Sequence, residues 1–152
     1  MGDGIDYRLP EHRRAVFHDF YAFHLEHRAH PGCVYYLLPW LRERHGWNDE
    51  QALWFAFLNG NTQNPITSLL LHRRSPTPAD AHLMLEWFER NYSRLAFDTD
   101  RRYHKKHLDL AVGGYLAATR RSQRDYWAHA AGGGFTGVWA QATAIPTFGR
   151  LS

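Results

Sequence analysis

Apolar residues recur along the chain at the three- and four-residue spacing of amphipathic helices, and the alternating pattern of strands is nearly absent. One apolar run follows Pro10. Another, CVYYLLPWLRERHG over 33–46, contains Pro39 and predicts either a kinked helix or two short pieces. The apolar positions of the first run are Val16, Phe17, Phe20, Tyr21, Phe23 and Leu25. The pattern predicts an all-α fold of about seven to nine short helices.

Capping residues mark the predicted helix boundaries. Asn48 and Gln51 form a capping box, and Gly60 is positioned to end the helix that follows. Asn64 with Pro65 begins the next helix. A third helix is predicted to start at Thr77, with Pro78 and Asp80 in its first turn, and its buried residues are Leu83, Leu85, Trp87 and Phe88. A fourth is predicted to start at Ser122 with Asp125 and to end at Gly132 to Gly134. The aromatic residues predicted to fill the core are Trp54, Phe55, Phe57, Trp87 and Phe88.

A length of 152 residues predicts one domain over 1–152, with a flexible stretch at 1–9. The last segment, WAQATAIPTFGRLS, runs from a helix-like stretch into a turn, so we expect the native chain to continue past Ser152. The single Cys33 forms no internal disulfide, no apolar run reaches the ~20 residues of a membrane span, and the N-terminus does not resemble a secretory signal. We therefore expect a soluble cytoplasmic protein without a membrane partner.

Charge is divided unevenly along the chain. Residues 1–100 carry ten Arg and thirteen Asp or Glu, a net charge of −3. Residues 101–152 carry eight Arg or Lys and two Asp, a net charge of +6. A basic segment of this kind favours contact with a polyanion such as DNA, and it is equally typical of a solvated surface.

Two segments resemble the helix-hairpin-helix DNA glycosylases. In FLNGNTQNPITSLL, at a turn that faces DNA in those folds, the matching residues are Leu58, Thr62, Gln63, Ile66 and Thr67. In IPTFGRLS, which resembles the hairpin whose backbone amides meet a DNA phosphate, they are Ile145, Pro146, Phe148 and Gly149. Thr147 replaces the usual glycine of that hairpin. The catalytic Asp of glycosylases lies downstream of the hairpin, beyond Ser152, so this resemblance implies no glycosylase activity for the chain.

Over most of residues 17–152 the chain resembles the α-glutamyl/putrescinyl thymine pyrophosphorylases, also called amino acid:DNA transferases. The blocks that carry the resemblance are FYAFHLEHRAHPGCVYYLLPWL, ALWFAFLNGNTQNPITSLLLHRR, FDTDRRYHKKHL and VWAQATAIPTFGRLS. The resemblance implies a role in thymine hypermodification of phage DNA. The implied substrate is DNA that carries 5-(pyrophosphoryloxymethyl)uracil. Pyrophosphate leaves, and the nitrogen of an amino acid or polyamine takes its place on the methylene.

Four side-chain amides lie within six positions, and we call them the amide turn: Asn59, Asn61, Gln63 and Asn64. Amides present paired donor and acceptor atoms that match a base edge, and a base that reacts has to leave the stack. We therefore predict that the amide turn, together with Gly149, binds DNA and an extruded uracil. The structural alternative is that Asn64 caps a helix and Asn61 holds a left-handed turn position.

A second block, FDTDRRYHKKHLD over 97–109, is predicted to carry the chemistry, and we call it the basic block. Departing pyrophosphate requires cations, for which the candidates are Arg101, Arg102, Lys105 and Lys106. The incoming amine requires a general base, for which the candidates are Asp98, Asp100 and His104. Alternatively the two aspartates hold a divalent metal on the pyrophosphate. The structural alternative is a capped helix start with a solvated basic turn behind it.

The remaining candidates are histidines and aromatic residues. His24, His27 and His30 recur every three residues but match no zinc signature, so contact of Arg28 or His30 with DNA phosphate is favoured over a metal site. One of Tyr35, Tyr36, Tyr103 and Trp127 is expected to stack on a base.

We expect the amide turn and the basic block to line one cleft. Two other functions stay open: a non-catalytic helical DNA-binding module, and a glycosylase-like repair protein.

Overall fold

The computed structural model describes residues 9–27, 33–98, 101–120 and 122–146, and within them the side chains of 101–106 and several residues of the first two helices lie outside the description. This part of the chain contains eight α-helices and no strand, so the all-α prediction is confirmed. The helices are α1 (Pro10–His27), α2 (Cys33–His45), α3 (Asp49–Thr62), α4 (Pro65–Arg74), α5 (Ala81–Asn91), α6 (Arg101–Thr119), α7 (Gln123–Gly132) and α8 (Gly134–Thr143). Two short 3-10 turns, Pro78–Asp80 and Tyr92–Arg94, flank α5. None of the described helices is both long and apolar enough to cross a membrane.

Helix α3 lies at the centre of the core. Its Trp54 and Leu58 are completely buried, and Phe57 stacks on Tyr115 of α6 with 4.0 Å between ring centroids. The indole Nε1 of Trp54 donates a hydrogen bond to the carbonyl of Ser75 at 2.8 Å. Burial of each such side chain contributes about 1.5–3 kcal/mol. The other buried core side chains come from α4, α5, α6 and the segment after α8, and include Leu71, Met84, Phe88, Leu108, Val112 and Ile145.

Three of the predicted helix starts are confirmed by their caps. Asn48 Oδ1 accepts from the backbone N–H of Gln51 at 3.0 Å, and Gln51 Oε1 accepts from the backbone N–H of Asn48 at 3.1 Å. Asn64 caps α4 ahead of Pro65. Ser122 Oγ accepts from the Asp125 N–H, and α7 ends at Gly132 as predicted. These caps are local, so the sequence alone specifies them.

Other boundary predictions are wrong. Helix α3 does not end at Gly60 but continues to Thr62, because Gln63, three positions after Gly60, adopts the left-handed conformation that ends it. Thr77 makes no side-chain cap bond. Helix α5 begins at Ala81 after a 3-10 turn, and Met84 and Phe88 are buried while Leu83 is 50% exposed and Trp87 only partly buried. Pro39 lies within one continuous helix, α2, so of the two alternatives for this run only that of two short pieces is wrong.

A polar network joins the start of α3 to the start of α7. The carboxylate of Glu50 accepts hydrogen bonds from the backbone N–H groups of Gln123 and Arg124 and from the side chains of Ser122 and Gln123. Gln123 Oε1 in turn accepts from the buried Tyr115 hydroxyl at 2.7 Å. The Glu50 side chain therefore satisfies free N–H groups at the first turn of α7, across more than 70 positions of sequence.

The chain after α8 packs closely against α6. Ile145 is buried in the core, and Pro146 lies over Gly114. A Cβ at Gly114 would come within 2.6 Å of Pro146 Cδ, whereas a Cβ at the neighbouring Gly113 would meet nothing within 4 Å. Gly114 is therefore the residue that lets this terminal segment approach the helix.

The Glu50→Gln variant tests the polar network. Partial burial raises the pKa of Glu50, but the bonds from Arg124, Gln123 and Ser122 outweigh burial and leave the pKa below its ordinary value of 4.5. We expect the variant to lose about 1–2 kcal/mol of unfolding free energy at pH 7, because an amide cannot accept all four bonds. Since the folded pKa is the lower one, the difference from wild type should shrink as the pH falls below about 4.5. Chemical denaturation at both pH values, with the exposed Glu43→Gln as control, measures it; an equal loss at both would contradict the account.

Two adjacent glycine variants test the packing of the terminal segment. Gly114→Ala should destabilise the protein and loosen residues 145–146, because its methyl group collides with Pro146. Gly113→Ala should instead raise stability by up to about 1 kcal/mol, as expected for alanine in an open helical position. Thermal denaturation and amide hydrogen exchange of both variants provide the measurement. Equal effects of the two substitutions would show that Pro146 does not lie over the helix.

Candidate nucleic-acid site

Two of the four amides in the amide turn face the protein. The side chain of Asn61 is 6% exposed, and its Nδ2 donates to the carbonyl of Phe57 one turn earlier at 2.9 Å. Asn59 is 9% exposed, and its Oδ1 accepts from the Ser68 hydroxyl at 3.3 Å. Asn61 is also helical, so its predicted left-handed position is wrong. The prediction that Asn59 and Asn61 contact a base is not supported by this burial.

Gln63 and Asn64 lie on the outside of the turn. Gln63 has φ 51° and ψ 15°, and its backbone N–H donates to the Asn59 carbonyl at 2.7 Å. Gln63 holds the left-handed position that ends α3, and its side chain is exposed. A non-glycine residue in this conformation is uncommon. Its position at a turn between two helices makes it the most accessible amide of the four.

Buried hydroxyl groups fix the shape of the turn. Thr62 is completely buried, and its Oγ1 lies 2.7 Å from the hydroxyl of Ser68 on α4. Ser68 also donates to the Asn64 carbonyl at 2.8 Å. Thr67 donates to the carbonyl of Ala96, which ties α4 to the segment that leads into α6. The hydroxyl network holds the outward-facing residues in one conformation.

Asn64 connects the amide turn to the basic block. Its Oδ1 accepts the N–H of Thr67 at 3.0 Å and so caps α4. Its Nδ2 donates to the exposed Asp98 carboxylate, 3.4 Å from each oxygen. The capping alternative for Asn64 is therefore correct, and the other end of the same amide contacts Asp98 of the basic block.

The rest of the basic block begins at the same end of the molecule. Helix α6 starts at Arg101, three residues after Asp98. Consecutive Cα atoms are 3.8 Å apart, so the Cα of Arg101 lies no more than about 11 Å from that of Asp98. The backbone of the first turns of α6 thus lies near the amide turn. The predicted residues whose side chains lie outside the described part are Arg101, Arg102, His104, Lys105 and Lys106, and Asp100 and Gly149 lie wholly outside it.

The remaining candidates have mixed outcomes. The Nε1 of Trp127 donates to the Tyr115 hydroxyl and the ring packs on the core, so the protein itself already contacts this candidate. The side chains of Tyr35, Tyr36, Tyr103, His24 and His27, and all of Arg28 and His30, lie outside the described part. Among the described residues, no group of three or more His, Cys, Asp or Glu side chains is arranged to hold a metal ion.

Three cavities lie away from the amide turn. One of about 350 Å³ lies between α5 and α6, beside Phe88 and Leu108. One of about 620 Å³ borders the Glu50 and Gln123 network. The third, of about 540 Å³, lies where the ends of α2 and α4 meet the start of α3, beside His72. None of these three is lined by Asn64 or Asp98, so the candidate nucleic-acid site is distinct from these cavities.

The sequence interpretation missed the residues that support the site. Thr62, Ser68 and His72 are polar side chains at most 3% exposed, and none of them was predicted to support the site. Their spacing could have indicated their burial, because Ser68 and His72 are four residues apart, on the helix face that also carries Leu71. Polar residues in the phase of the core require internal partners, and such partners usually indicate a rigid site.

The similarity to known proteins covers the amide turn and the basic block. The model of the amino acid:DNA transferase family matches residues 36–152, which include the amide turn and the basic block. A serinyltransferase of Salmonella phage ViI is 29% identical over 113 residues, which cover 68% of this chain and 28% of the relative. The chain thus spans less than a third of that relative's length. No solved structure matches the chain. Because the family model covers most of the sequence and both polar blocks, the chain belongs to the amino acid:DNA transferase family.

Proposed function

We propose that the protein modifies DNA by displacing pyrophosphate from 5-(pyrophosphoryloxymethyl)uracil with the nitrogen of an amino acid, at the surface formed by Gln63, Asn64 and the start of α6. The observation that carries this proposal is the contact between Asn64 and Asp98, which brings the amide turn next to the basic block. The relative from phage ViI is named a serinyltransferase, so serine is the first donor to test.

The position of the cations supports pyrophosphate binding. Arg101, Arg102, Lys105 and Lys106 occupy the first six residues of α6, and the first turn contains no acid. The N-terminus of a helix is the positive end of its dipole, so four cations there are unfavourable unless an anion is bound. Free backbone N–H groups at such an end also donate to phosphate oxygens. The start of α6 therefore has the chemistry of a polyphosphate site.

The proposed reaction is a substitution at the methylene carbon. The nitrogen of the amino acid forms a C–N bond as the C–O bond to pyrophosphate breaks, and the bond electrons leave with the pyrophosphate. The ammonium form of the amine has no free electron pair, so a base first takes a proton from it. Asp98 is the proposed base, and the Asn64 amide positions it by donating to the carboxylate. The cations of α6 stabilise the charge that develops on the leaving group.

The proposed base site is the exposed end of the amide turn. Gln63 offers both a donor and an acceptor to the edge of a uracil, and its backbone conformation is fixed by the bond to Asn59. The buried hydroxyls of Thr62 and Ser68 keep that conformation when DNA binds. Asn64 is committed to Thr67 and Asp98, so in this proposal it aligns the general base and does not read the base edge.

The Asp98→Asn variant separates catalysis from DNA binding. If Asp98 takes the proton from the amine, the variant should lose at least ~100-fold in transfer rate. Its affinity for DNA should stay the same or increase, because one negative charge is removed. The measurement is nucleoside mass spectrometry of DNA carrying the pyrophosphorylated base, after reaction with the full-length protein and serine.

The control for this experiment is Asp80→Asn, at an exposed aspartate before α5, which should leave transfer unchanged. Normal transfer by Asp98→Asn would reject Asp98 as the base. If the wild-type protein binds DNA with a steep dependence on salt but neither releases pyrophosphate nor forms an adduct, the chain is a DNA-binding module instead.

A further inference from the structure

The third cavity, of about 540 Å³, is lined by side chains suited to a small polar ligand. It lies at the C-terminal end of α4, whereas the amide turn lies at the N-terminal end. His72 follows Asn64 by eight residues, which corresponds to about 12 Å along a helix. The cavity is therefore separate from the proposed base site. Its walls combine aromatic rings, one cation and a buried imidazole.

His72 presents an unused acceptor inside the protein. The ring is 3% exposed, and its Nε2 lies 3.0 Å from the carbonyl oxygen of Gln51. A carbonyl only accepts, so Nε2 carries the proton and the Nδ1 of the neutral ring is an acceptor. No donor in the described ranges meets that Nδ1. Burial lowers the pKa of His72, with the Gln51 bond opposing and the charge of His45 adding to the effect, so the ring is neutral at pH 7.

The rest of the cavity complements a small zwitterion. The Trp47 ring lies between the two imidazoles, 4.1 Å from that of His72 and 5.9 Å from that of His45, and forms an aromatic wall. Arg73 lines the rim, and no carboxylate within the described ranges pairs with it. The adjacent Arg74 differs, because its guanidinium lies over the Trp87 ring at 5.0 Å. The guanidinium of Arg73 pairs with a carboxylate, and the buried acceptor of His72 accepts a hydrogen bond from an amine, so together they complement a molecule that carries both groups.

We propose that this cavity is a binding site for a free α-amino acid, whose carboxylate pairs with Arg73 and whose amino group donates to Nδ1 of His72. The inference rests on the proposed function, which makes an amino acid the donor. An amino acid bound here lies about 12 Å from the amide turn, so the cavity is a holding site that the amino acid leaves before Asp98 takes the proton from its amine. The aromatic wall of Trp47 and His45 then contacts the side chain of the bound amino acid.

Binding to the full-length protein without DNA provides the test. L-serine is titrated while calorimetry measures affinity and the imidazole resonances of His72 are followed by NMR. We expect serine to bind and shift those resonances. Serinamide, which lacks the carboxylate, and glycerate, which lacks the amine, should each bind at least tenfold more weakly. Arg73→Gln should weaken serine binding at least tenfold, whereas the neighbouring Arg74→Gln should bind like wild type.

The inference would be overturned by serine that leaves the His72 resonances unchanged, by serinamide that binds as tightly as serine, or by Arg73→Gln that binds like wild type. Arg73 is exposed, so its variant is expected to fold and the result to be interpretable. The assay contains no DNA, so its failure is distinguishable from failure of the proposed function. Transfer of serine by wild type with an unchanged KM in Arg73→Gln would leave the function intact and reject the cavity as an amino-acid site.

Discussion

The proposed site depends on the hydrogen bonds made by the carboxamide of Asn64. One end of the amide accepts the N–H of Thr67 and starts α4, and the other end donates to Asp98. A residue of any other type would serve one of these partners less well: serine or aspartate caps a helix but does not offer an amide N–H, and aspartate would repel the carboxylate. Because α4 is fixed by its cap, the distance between the turn and the basic block is fixed with it.

Helix α4 links the two proposed binding regions. Its N-terminal end carries the amide turn, its C-terminal end carries His72 and Arg73, and Leu71 between them is buried in the core. The buried polar residues of this helix are Thr67, Ser68 and His72. Thr67 bonds to the segment before α6, whereas Ser68 and His72 both bond to α3. A short helix with so many buried polar groups gains less from apolar burial, and its position is instead specified by directional bonds.

Local signals in the sequence predicted much of the fold, and contacts between distant residues account for the errors. The caps at Asn48, Asn64 and Ser122 depend on three or four neighbouring residues, so their prediction was confirmed. The burial of Met84 rather than Leu83 depends on how α5 packs against distant residues of the core, which the local pattern did not indicate.

The candidate site was predictable in its components but not in its arrangement. The amide turn and the basic block were evident as unusual polar stretches, whereas the contact between them spans 34 positions and cannot be read from spacing. Asn61 looked like an accessible base reader, but its position in the last turn of α3 lets it bond to the Phe57 carbonyl one turn earlier. Gln63 acquired its exposure from a left-handed conformation that sequence patterns assign to glycine or asparagine first.

A double-mutant cycle between Asn64→Ser and Asp98→Ala tests the central claim most directly. Serine retains the helix cap and removes only the amide N–H that reaches Asp98. Single-turnover transfer rates are measured for the full-length wild type, both single variants and the double variant. If the amide acts by positioning the carboxylate, the double variant should be no slower than Asp98→Ala alone. Rate losses that multiply independently would contradict the account, because the two residues would then act at separate places.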